Sequence, residues 1–127
     1  MKVFTKTVLF TDHDGRARFR EEAIALDEGT PQAMLSRLLA ATGYQLRESP
    51  VGFRNDWHCT AQPQWVFILD GEMEIGVRDG APRRFRPGEH FFSADTLPPG
   101  ASFDRSLHGH WSAQRGPRPL VTLFLKV

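Results

Sequence analysis

One cysteine, Cys59, stands in 127 residues, so no internal disulfide forms and a reducing compartment is expected. Net charge is nearly absent: 16 Lys and Arg against 15 Asp and Glu leave +1. That balance gives no electrostatic case for nucleic acid or an acidic membrane surface as a partner. No apolar run approaches the ~18 residues of a membrane span. The opening Met1-Lys2-Val3-Phe4-Thr5-Lys6 has no apolar signal core and no small-residue cleavage site, so a cytoplasmic protein is expected. Repeats, low-complexity tracts and linkers are also missing. The length therefore reads as one domain spanning 1–127, able to bury roughly two-thirds of its unfolded surface without staples.

What is present is short apolar alternation broken by a turn signal every eight to twelve residues, the pattern of an all-β sandwich or barrel. Val3–Phe10 and Ala17–Leu26 read as strands around the turn Asp12-His13-Asp14-Gly15. Thr30-Pro31 resembles a helix start, and Met34, Leu35, Leu38 and Leu39 would share one stripe. A short helix or an irregular crossover is expected there, ending at Gly43. Residues 1–43 are thus N-terminal strands and a crossover, and 44–127 the barrel core. Tyr44–Glu48, Trp65–Leu69, Glu72–Arg78, Arg83–Phe85, His90–Ser93, Leu107–Ala113 and Leu120–Val127 complete the strands. Asp79-Gly80 is a two-residue hairpin signal. Asp95–Ser106 is the longest irregular stretch, the kind that serves as a lid, and it is expected to be mobile without ligand.

Trp65-Val66-Phe67-Ile68-Leu69 is apolar at every position, so both faces of that strand are expected to be covered. One face fills the interior. The other needs an N-terminal segment or a second subunit, which makes a homodimer the expected assembly.

Gly52 is followed after five residues by His58; Thr60 stands next but one, Gln64 after three more and Gly71 after six more. This segment resembles the first cupin motif, with Thr60 at its second His and Gln64 at its Glu. Gly88-Glu89 resembles the turn of the second motif. Pro98-Pro99-Gly100 resembles its Pro-x-Gly but leads to Phe103 rather than His. Downstream, His110 with Gln114 four residues on fits the motif's His and amide better. Tyr44–Val127 thus resembles a small single-domain cupin, and small bacterial cupins share its Asp56-Trp57-His58, Gln64-Trp65 and Gly109-His110. The resemblance implies a double-stranded β-helix, or jelly-roll barrel, with an N-terminal strand extension and at most one short helix.

The resemblance also implies a small-molecule cavity and a divalent transition metal (Fe, Mn, Ni, Cu or Zn) held by His58, Gln64, His108 and His110. Thr60 and Gln64 are weaker donors than the His and Glu they replace. Strand alternation places His58 with Thr60, Gln64 with Val66 and Ile68, and His108 with His110 and Ser112. Tyr44, Arg54, Thr60, Ile68 and Ser112 are candidate substrate contacts, and His58 and His110 candidate catalytic residues. A His near pKa ~6.5 is the natural acid or base at neutral pH, and Asp56 is a candidate partner for His58. Cys59 is expected to face away from the cavity as an inert thiol. Trp57, Trp65 and Trp111 are read as packing residues, His13 as solvated, and His90 as a surface strand residue. Three functions stay open: a metal-assisted enzyme, a metal-free isomerase, epimerase or cyclase, and a non-catalytic ligand-binding or sensor module.

Overall fold

Alternation and turns produce strands and no helix among residues 2–127, which the structure, a computed structural model, describes. In chain order these are β1 (Val3–Thr11), β2 (Ala17–Ala25), β3 (Glu28–Thr30), β4 (Ala33–Leu35), β5 (Gly43–Ser49) and β6 (Arg54–His58). β7 (Gln64–Asp70), β8 (Glu72–Gly76), β9 (Arg83–Phe85), β10 (His90–Ala94), β11 (His110–Arg115) and β12 (Leu120–Lys126) follow. One sheet has the order β2-β1-β10-β7-β12-β5 and the other β6-β11-β8-β9. Leu9, Val66, Phe91 and Leu120 of the first sheet join Met73, Ile75 and Phe85 of the second in one buried cluster, so the sheets pack face to face. This is an all-β jelly roll. β2 and β1 add two strands at one edge, β1 pairing parallel to β10, which is the expected N-terminal extension.

Period-two alternation assigns the faces. Phe91 pairs with Val66 and Phe92 with Trp65, so Val66, Ile68 and Phe91 point inward while Trp65, Phe67, His90 and Phe92 point outward. Phe4 and Lys6 of β1 join that outer group. Trp65 stacks on Phe67 at 5.6 Å, and the Lys6 ammonium lies over the Trp65 and Phe92 rings. The outer face of β7 is thus partly covered by the N-terminal segment. Farther along the sheet, Tyr44, Leu46 and Leu69 remain exposed.

Three local expectations are settled. Of the short helix or irregular crossover expected from Thr30 to Gly43, the helix does not form and the crossover does: β3 and β4 make a small hairpin, and residues 36–42 run irregularly across to β5. Leu38, expected on an apolar stripe, is 96% exposed. The crossover must travel from β2 at one sheet edge to β5 at the other, and an extended chain spans that gap where two helical turns, about 11 Å long, would not. The third concerns Asp79-Gly80. Ile75 pairs with Arg83, so the connection is a longer loop rather than a two-residue hairpin, although Gly80 does take a positive φ of 92°.

Candidate functional site

One end of the barrel interior is packed and the other hollow. The hollow is a cavity of about 430 Å³, within the range of small-molecule pockets. Its walls come from both sheets. β7 brings Gln64, β12 Lys126, β5 Arg47, β6 His58 and β11 His110 and Ser112, with Thr60 just after β6. Val66, Ile75, Phe91 and Phe124 form its apolar floor.

His58 and His110 are paired across β6 and β11, their ring centroids 4.5 Å apart. Gly109 permits this closeness. Its φ is +86°, and a Cβ there would lie 2.6 Å from the His58 carbonyl oxygen, so only glycine lets the chain enter β11 against β6. Each ring is held at Nδ1. His58 Nδ1–H donates to the Asp56 carbonyl at 2.6 Å, and His110 Nδ1–H donates to Asp95 Oδ2 at 2.7 Å. In the neutral rings Nε2 then carries the lone pair. Asp95 is wholly buried; its other carboxylate oxygen accepts from Thr11 Oγ1 and its carbonyl from the Thr60 amide. Burial pushes the His58 pKa below its usual value; the Asp56 carbonyl opposes this in part, and the neighbouring His110 adds a smaller lowering effect.

Five candidates named from sequence do line the cavity: His58, Thr60, Gln64, His110 and Ser112. Four do not. Tyr44 sits on the outward face, 68% exposed. Arg54 lies beside the Trp111 ring, away from the interior. Ile68 is buried deeper, in the packed cluster. His108 lies in the loop before β11, where its Nδ1 accepts from the Asp104 amide at 2.9 Å. Alternation cannot carry His108 into the cavity, because β11 begins only at His110.

The other readings divide similarly. The Asp56 carboxylate pairs with Arg105 and not with the His58 ring. Gln114, at the motif's amide, is structural: its Oε1 accepts from the Gly52 amide and its Nε2 donates to carbonyls of the loop 115–118. Cys59 lines the cavity rather than facing away, since β6 ends at His58 and alternation stops there. Its thiol is pushed up to about 11 by burial, then by Asp95, which disfavours the thiolate at neutral pH. His90 is half-buried among the outer aromatics, and its Nε2 accepts from the Thr7 amide. His13 is exposed against Asp12. The stretch 95–106 is tethered rather than poised over the site: Thr11 holds Thr96, and Arg105 holds Asp56. No residue of it lines the cavity.

Three residues in or beside the cavity were missed. Asp95 looks in sequence like the first residue of a loop, and nothing there announces that it supports His110. Arg47 and Lys126 read as the polar positions of alternating strands, yet they point inward.

The implied metal can be tested against these donors. A catalytic ion takes about three protein ligands. His58 and His110 supply two imidazoles, and His108 lies elsewhere. Gln64 Oε1 accepts from Lys126 Nζ at 2.8 Å, so the carbonyl a metal would need is bound by an ammonium. Thr60 Oγ1 is bonded to Ser93 Oγ at 2.5 Å. Among the described residues no three His, Cys, Asp or Glu are grouped to hold an ion. The residues present do not fit a resident Fe, Mn, Ni, Cu or Zn ion.

No family model and no curated protein matches the chain. Among solved structures, the Schizosaccharomyces pombe Cnp3 cupin domain is 14% identical with a TM-score of 0.47, over 100% of this chain and 85% of that one. A Ralstonia eutropha JMP134 protein named for mannose-6-phosphate isomerase is 20% identical with a TM-score of 0.37, over 97% and 83%. At these values both are similarities of overall shape and say nothing of activity or ligand.

Proposed function

We propose that the protein is a metal-independent acid–base enzyme acting on a small organic molecule in the barrel cavity. The observation that carries this is the buried Asp95–His110 pair beside His58. Asp95 fixes the His110 tautomer and ring orientation, which leaves the Nε2 lone pair to act as a general base. His58, 4.5 Å away, is kept neutral by burial and by its neighbour. A proton taken by one imidazole is thus disfavoured on the other, so two rings of one kind take separate roles. Proton abstraction next to a carbonyl, with return at another position or face, is the reaction class this supports. Isomerases, epimerases and cyclases share it.

The test uses chelator-treated protein in deuterium oxide with a panel of small carbonyl compounds, followed by proton NMR. Exchange of a C–H adjacent to the carbonyl that drops about 10²–10⁴-fold in His110→Asn supports the reading. Exchange that appears only after a divalent metal is added back would sink it, and would restore the metal-assisted enzyme. The homodimer is also proposed, on the exposed Tyr44, Leu46 and Leu69 of the outward face. Analytical ultracentrifugation showing a monomer at all concentrations would reject it.

A further inference from the structure

The cavity has cationic walls and nothing acidic. Arg47 and Lys126 line it, and no Asp or Glu does. Neither cation forms a salt bridge with a carboxylate among the described residues. Lys126 spends one bond on neutral Gln64 and keeps its remaining N–H bonds. Arg47 is more telling. Its guanidinium lies over the Phe53 and Phe124 rings, 5.1 and 4.7 Å from their centroids. Its Nε and one terminal nitrogen are buried and have no hydrogen-bond acceptor. Buried donors without acceptors are rare and costly, and a buried charge without a counter-ion more so. The aromatic rings offset this only in part. Burial lowers the Arg47 pKa, in keeping with an ion that lacks a partner. An unpartnered cation at a cavity wall implies that its acceptor comes from outside the chain.

We infer that the cavity binds a small organic carboxylate, its anionic group held by Arg47 and Lys126 and its apolar body lying on Val66, Ile75, Phe91 and Phe124. The planar guanidinium matches a carboxylate's two oxygens, and Lys126 adds a second positive charge. The apolar floor has no use for a free inorganic anion. His58 and His110 line the same cavity, so a ligand anchored this way presents its body to the imidazoles. The inference deepens the acid–base reading by naming its substrate class, and it rests on that reading only for what happens after binding.

The probes are benzoate and hexanoate, with benzamide as neutral control and inorganic phosphate as the competing anion. Binding is followed by the Arg Nε–H resonances and the backbone amides in nitrogen–proton NMR spectra. Both carboxylates are expected to shift the Arg47 Nε–H resonance while benzamide does not. Arg47→Met, which keeps the stem and drops the charge, should weaken binding on the order of 10–100-fold, and Lys126→Met should weaken it less. Arg47→Met should melt at the same temperature or higher, because it removes a half-buried charge without a counter-ion; a lower melting temperature would assign Arg47 a structural role and overturn the inference. His13→Asn, at an exposed position outside the cavity, should bind benzoate as the wild type does. Carboxylate binding kept by His13→Asn and lost by Arg47→Met upholds the inference even if the exchange assay finds no catalysis. Tighter binding of phosphate than of either carboxylate, or shifts that persist in both cation variants, would overturn it.

Discussion

Strands β7 and β12 run side by side through both halves of the barrel interior, and the two halves differ in kind. From one end to the other the inward face of β7 reads Gln64, Val66, Ile68, and that of β12 reads Lys126, Phe124, Thr122, Leu120. At the Ile68–Leu120 end the sheets close on each other and nothing is left open. At the Gln64–Lys126 end the same backbone carries long polar side chains and the interior is hollow. The alternation is unchanged along the strands; only the residue type at inward positions changes. A barrel of this size therefore keeps its packed core and its cavity at opposite ends of the same strands.

Substitutions along one strand face should separate the two ends. Ile68→Ala should cost about 2–5 kcal/mol in chemical denaturation, the range for emptying a packed core, and should leave benzoate binding intact. Gly109→Ala, at the hollow end, should cost about 1–3 kcal/mol through strain at positive φ, and the His58 carbonyl in its path should displace β11. Loss of the His58–His110 contact would show as altered imidazole resonances. Gln64→Ala, on the same face as Ile68, should cost no more than about 0.5–1.5 kcal/mol, the worth of one hydrogen bond. A cost equal to that of Ile68→Ala would erase the distinction between the ends.

Acid should weaken the hollow end. Burial depresses the His58 pKa in the folded chain, and that of His90 as well. The unfolded chain therefore binds more protons below about pH 6.5, and stability present above that value is lost as the pH falls toward the depressed folded values. In urea melts His58→Asn should flatten this slope. The smallest effect is expected at Leu38→Ser in the crossover, within about 0.5 kcal/mol of wild type by thermal melting, because that side chain packs against nothing.

The strands were legible because alternation and turn residues are local. The all-apolar run at Trp65 marked a strand covered on its inner face and, up to the exposed Leu69, on its outer face, and the glycine-framed spacing from Gly52 to Gly71 placed His58, Thr60 and Gln64 on one cavity. The helix at Thr30 misled because capping residues report local preference, while the distance between β2 and β5 is a property of the whole sheet. Site assignment broke down where strands end. Alternation was extended through Cys59 and back to His108, but β6 stops at His58 and β11 starts at His110. Asp95 was illegible for another reason: its pairing with His110 spans fifteen residues and follows from the meeting of β10 and β11 ends, which no short motif encodes. Arg47 looked like an ordinary polar strand position because sequence does not say which face of an edge strand turns inward.

The placement of Cys59 has a practical consequence. A chain with a single thiol, set in the wall of its own cavity, carries a built-in gauge of occupancy. A thiol reagent applied at alkaline pH, where the raised pKa is approached, modifies one position only. Any compound that fills the cavity should slow that reaction, so a library can be screened for ligands by mass spectrometry before any reaction is known.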